Sequence, residues 1–124
     1  VCDLADASGH PLLSLFRGSH LPTPLDIHLL DRHPRGSQSF MPLSQYDWLV
    51  VVAHGNAAGD APDFSTLACF KASGIQGVSY NRGTWHHPLL TLQASQDFLV
   101  IDRQGDGHNL DEVWHDGPAA IIHP

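Results

Sequence analysis

Cysteine, lysine and long apolar runs are all scarce in this chain, and each scarcity excludes something. There are two cysteines in 124 residues, Cys2 and Cys69. A secreted disulfide scaffold is denser in cysteine, so a reducing compartment is expected, and with it a cytoplasmic location. Cys69 lies in Leu67-Ala68-Cys69-Phe70 and reads as a buried small hydrophobe. Six basic residues stand against thirteen acidic ones, a formal charge of −7. That balance argues against nucleic acid or an anionic membrane as partner, since neither would be neutralised by a negative surface. The longest apolar run, Trp48 to Ala53, is too short to span a bilayer. No basic segment followed by an apolar stretch opens the chain, so no secretory signal is visible. The chain starts at Val1 rather than at Met, and an N-terminal piece is expected to be missing.

What remains is one soluble globular domain over residues 1–124, long enough to bury a core without staples. Nine prolines and eleven glycines leave little room for helices of ordinary length. Period-2 patterns recur between them and predict strands at 13–17, 25–31, 38–41, 48–53, 66–72, 75–80, 89–92 and 98–103. The run at 48–53 reads as a central strand covered on both faces. Residues 55–63 read as a surface loop, 81–83 and 105–107 as tight turns, and 111–114 as one helical turn. The class is all-β, a sandwich or small barrel.

Histidine is the excess: ten residues. Most stand beside Gly, Pro or Asp and read as surface. His33 and the pair His86-His87 differ. They sit about fifty residues apart, each at a strand end near a turn, where a jelly roll brings distant segments together at the barrel mouth. Adjacent residues in extended backbone face opposite ways, so only one of His86 and His87 points inward, and His86 is the choice. A structural histidine is the duller alternative for this cluster.

These residues carry a resemblance. Asp31 to Gln38 resembles the first cupin motif, with His33 as a ligand histidine, Gln38 where a Glu belongs and Asp31 in place of the first His. Gly83-Thr84-Trp85-His86 resembles the second, Gly-x-x-His. The longer phrases Arg32-His33-Pro34-Arg35-Gly36-Ser37-Gln38, Trp85-His86-His87-Pro88-Leu89 and Asp97-Phe98-Leu99-Val100-Ile101-Asp102-Arg103 are similar to the ureidoglycolate lyase family, formerly called ureidoglycolate hydrolase. Members usually carry further N-terminal strands.

The resemblance implies a cupin double-stranded barrel, a homodimer, and elimination of urea from ureidoglycolate to give glyoxylate in purine and allantoin breakdown. It implies a divalent metal, nickel being the one suggested, that assists without being strictly required. Carried onto this chain, His33, His86, Gln38 and Asp31 are the catalytic candidates. His33, Gln38 and His86 are the metal candidates. From the residues themselves, Arg17, Arg32, Arg82 and Arg103 are the cations that could grip the substrate carboxylate, and Arg17, which ends a strand, is the choice; Tyr80, at the end of the strand leading to His86, and His87 are the other candidates for substrate binding. Loss of the motif Glu lowers the charge of the site by one, so metal affinity should be modest. Arg32 should point away from the pocket by strand alternation. Two other readings stand beside the lyase: a non-catalytic cupin binding a small carboxylate, and a hydrolase releasing ammonia from the same substrate.

Overall fold

The computed structural model describes residues 2–124. In chain order the strands are β1 (Gly9–Ser19), β2 (Leu25–Ile27), β3 (Leu29–Arg32), β4 (Gln38–Pro42), β5 (Trp48–Ala53), β6 (Ala68–Ala72), β7 (Val78–Tyr80), β8 (Trp85–His86), β9 (Leu90–Thr91), β10 (Ser95–Gly105), β11 (Asp111–Trp114) and β12 (Ala120–Ile122). One 3-10 turn, Phe64–Thr66, precedes β6 and is capped by the Asp63 carboxylate, which accepts from the Ser65 amide. Among the described residues no helix is long and apolar enough to cross a membrane.

Two antiparallel sheets face each other. The first runs β1-β10-β4-β7, and the second β11-β3-β8-β5-β6 with β9 paired to β5; a ribbon of β2 and β12 stands apart. Alternation along β5 explains why the second sheet is buried on both faces. Trp48, Val50 and Val52 point between the sheets, where Phe40, Tyr80, Phe98 and Val100 meet them. Leu49 and Val51 point outward into a second core with Leu30, Trp85, Ile27 and Leu90. Aromatic edges fix the inner core: Phe98 is fully buried, with its ring 5.0 Å from Trp48 and 6.3 Å from Phe40.

Four expectations are corrected. Residues 111–114 form a strand, not a helical turn, because β11 pairs in register with β3 and sends Val113 into the outer core. The stretch 25–31 is two strands, since the chain changes partner at His28: Ile27 O accepts from Ala119 N and His28 O from His115 N. Residues 75–77 precede β7 as a turn closed by Gln76 N on Ser73 O. Cys69 is exposed, because β6 is an edge strand whose outward residues have no layer over them.

The first sheet also has an uncovered side. Its outer face carries Leu13 and Leu15 on β1 and Met41 on β4, all exposed.

Candidate active site

The site lies between the sheets, where two cross-strand rows face each other. In the second sheet, Asp31 on β3 pairs in register with Glu112 on β11 on one side and with His86 on β8 on the other. In the first sheet, Leu12 pairs with Asp102, and Gln38 with Tyr80. His33, two residues beyond Asp31, returns to the same face. A hydrogen bond from the Gly83 amide to the His33 carbonyl ties its loop to the turn before β8. That turn needs glycine, because Gly83 has a φ of +78°.

Three rings stack across the cleft. Tyr80 lies flat on His86 at 4.0 Å and 9°, and His33 lies on the side at 5.4 Å and 30°. His86 is 3% exposed. Its Nδ1 lies 2.9 Å from the Thr84 carbonyl oxygen, and its Nε2 3.1 Å from the Gln38 Oε1. Burial pushes His86 down to about 4; the charges of His33 and His87 add to this and the Thr84 carbonyl opposes it. His33 Nδ1 donates to the Asn109 carbonyl at 3.2 Å. In the neutral ring that leaves Nε2 with the lone pair. Burial likewise pushes the Tyr80 phenol up, so it stays a neutral donor at working pH.

Asp31 faces the cleft beside His86. Burial raises its carboxyl to about 6, helped by the charge of Glu112 opposite and by a hydrogen bond to it. Its Oδ1 is buried with no hydrogen-bond partner among the described residues. A carboxylic acid that keeps its proton up to about pH 6 and has an unsatisfied oxygen is equipped to bond a ligand. The raised value also has a cost to stability. Between the ordinary Asp value of 3.8 and about 6, the folded chain holds a proton that the unfolded chain has lost, so stability falls as pH rises through that window. Asp31→Asn is expected to remove that fall, stabilising the protein at pH 7 and changing little below pH ~4. Urea unfolding at the two pH values checks this; a variant that tracks the parent at both would contradict the value.

Two substrate-binding candidates lie elsewhere. Arg17 follows the inward Phe16 on β1 and so points to the outer face, where it forms a two-pronged ion pair with Asp97. It stands five residues along β1 from Leu12, about 17 Å from the row that carries Asp102. His87 follows inward His86, turns away from the cleft and donates from Nδ1 to the Pro88 carbonyl. Arg32 lies on the outer side over Trp85, paired with Asp111. Two residues that the sequence reading passed over, Asp102 and Glu112, line the rows named above.

The residues do not fit a resident divalent metal. Both ring nitrogens of His86 lie against carbonyl oxygens, and the Gln38 carbonyl faces His86, so neither is open to an ion. Among the described residues, no three His, Cys, Asp or Glu side chains close on a common point.

With this geometry in place, the comparisons decide the family. The sequence profile described as ureidoglycolate lyase matches residues 1–122. The chain belongs to the ureidoglycolate lyase family. It is 48% identical over 120 residues to a ureidoglycolate lyase of Pseudomonas syringae pv. tomato, covering 97% of this chain and 69% of that protein. It is 50% identical over 103 residues to one of Pseudomonas savastanoi pv. phaseolicola, covering 83% and 59%. It is also 50% identical over 110 residues to one of Burkholderia mallei, covering 89% and 62%. The chain thus spans roughly three-fifths to two-thirds of the length of these relatives. The two facing antiparallel sheets agree with the cupin jelly roll expected of a ureidoglycolate lyase.

Proposed function

We propose that this chain carries the cleft of a ureidoglycolate urea-lyase. Ureidoglycolate is a carbinolamine, one carbon bearing a hydroxyl, a carboxylate and a urea nitrogen. Elimination breaks the carbon–nitrogen bond: the hydroxyl loses its proton, the oxygen becomes the aldehyde of glyoxylate, and the nitrogen leaves with a proton as urea. A base and an acid must therefore face one carbon from two sides. His33 Nε2 is the base. Asp31, whose carboxyl is raised to about 6, is the acid that serves the leaving nitrogen. His86, itself stacked on Tyr80, holds the His33 ring. The observation that carries the reading is the buried Asp31 carboxyl, with an unsatisfied oxygen and a raised value, beside His33 and in register with His86.

The scheme routes no step through a metal, so turnover should survive removal of divalent ions. The test is the rate of ureidoglycolate loss before and after exhaustive chelation, with glyoxylate titrated onto the chain in parallel. Equal rates, with the His33 ring signals moving on glyoxylate addition, support the reading. A rate that collapses on chelation and returns with nickel would overturn the metal-free scheme. Movement at His87 or beside Arg17 with His33 unmoved would overturn the placement.

The uncovered outer face at Leu13, Leu15 and Met41 supports a homodimer of this chain through the first sheet. The free thiols of Cys2 and Cys69 support a reducing, cytoplasmic setting.

A further inference from the structure

Gln38 faces two partners. Its Nε2 donates to Asp102 Oδ2 at 3.2 Å, and its Oε1 faces His86 Nε2 at 3.1 Å. The Thr84 carbonyl holds the other side of the His86 ring. A carbonyl oxygen only accepts, so each contact of this line calls for a hydrogen on the nitrogen.

Counting hydrogens shows what the carboxylate does. A neutral imidazole has one ring hydrogen, yet His86 sits between two carbonyl oxygens. If the Gln38 amide turned over, its NH₂ would donate to a bare Nε2, and a neutral His86 would satisfy both sides with its hydrogen on Nδ1. That turn would aim the amide oxygen at the Asp102 carboxylate, two acceptors with no hydrogen between them. The Asp102 carboxyl, an acceptor facing the amide, therefore opposes the turn. It also returns, one amide further out, the negative charge that a glutamate at position 38 would have supplied.

We propose that Asp102 is a positioning residue of the lyase site: through Gln38 it keeps a hydrogen on His86 Nε2 and so fixes the ring against which His33 stacks. The chain of action runs from Asp102 to Gln38 to His86 to His33, and Asp102 itself touches no reacting atom. Its place follows from strand register. Phe98 and Val100 on β10 are both fully buried, so Asp102, two residues further on, points the same way into the row that holds Gln38. Carboxylates that orient a histidine through a bridging group commonly tune its tautomer.

The inference rests on the lyase reading for its effect on rate, but its structural half is measured without turnover. The experiment records ring ¹⁵N signals of His86 in the parent and in Asp102→Asn, which has the same shape but can present either an acceptor or a donor to Gln38. Nε2 is expected to carry hydrogen in the parent and to be bare in the variant. In the same pair, kcat on ureidoglycolate should fall roughly tenfold with KM within about twofold, since displacing a catalytic ring by a fraction of an ångström costs rate rather than binding. Gln38→Met, which removes the amide and keeps the length, should also leave Nε2 bare and serves if Asp102→Asn folds poorly. An unchanged Nε2 in both variants overturns the proposal even if activity falls. A changed Nε2 with kcat within twofold of the parent overturns it as well. A parent with no activity on ureidoglycolate would count against the lyase reading, while the ring signals would still decide whether Asp102 governs His86.

Discussion

His33→Gln is expected to lower kcat/KM on ureidoglycolate by about 10²–10⁴-fold, the range over which a positioned base contributes. The physical case is narrow. Of the two imidazoles in the cleft, His86 is 3% exposed with both nitrogens against carbonyl oxygens, so it cannot reach a substrate without leaving its place. His33 is half-buried at the end of β3, with Nδ1 on the Asn109 carbonyl and its remaining nitrogen free to take a proton. Glutamine retains comparable length and hydrogen bonding but cannot act as a base near neutral pH. The fold should be indifferent, because His33 belongs to neither apolar core, and the denaturation midpoint should stay within about 0.5 kcal/mol of the parent. Steady-state kinetics beside urea unfolding checks both halves. Parent-like turnover in the folded variant would remove His33 from the mechanism.

Phe98→Ala is expected to cost about 3–5 kcal/mol of stability, a large part of what a domain of this size possesses. Phe98 is 0% exposed and sits edge-on between Trp48 from the second sheet and Phe40 from its own. Its loss leaves a cavity where aromatic rings of both sheets meet. Neither aromatic neighbour is free to fill it: the Trp48 Nε1 donates to the Gln76 carbonyl, and Phe40 is held edge-on by Tyr80 and Phe16. The effect should reach the site, since Tyr80 is the floor on which His86 stacks. Thermal unfolding of the variant measures it; a loss below about 1 kcal/mol would mean that the inner core repacks freely.

The strands and the meeting of His33 with His86 were legible in the sequence for simple reasons. Continuous apolar runs mark β5 and β10, and turn residues bracket β4. The site was legible in part. Asp102 could have been found by continuing the alternation of Phe98 and Val100 by one step, but a lone Asp at a strand end looks like a surface residue. Glu112 was hidden because Asp111-Glu112-Val113-Trp114 has only Val113 facing the core, too little for a period of two to stand out. Arg17 was misplaced because its strand-end position was weighed and its face was not; the inward neighbour Phe16 fixes that face. A two-residue strand such as β8 has no periodicity at all. It exists because β3 and β5 hold it from either side, and only the assembled sheet contains that information.

The account stands most directly on what the chain makes from ureidoglycolate. Urea, glyoxylate and ammonia should be counted together as the purified protein consumes a known amount of substrate. The elimination described here predicts one urea for each glyoxylate and no ammonia, because no water enters the bond that breaks. Ammonia in place of urea, or intact substrate beside a folded protein, would contradict it.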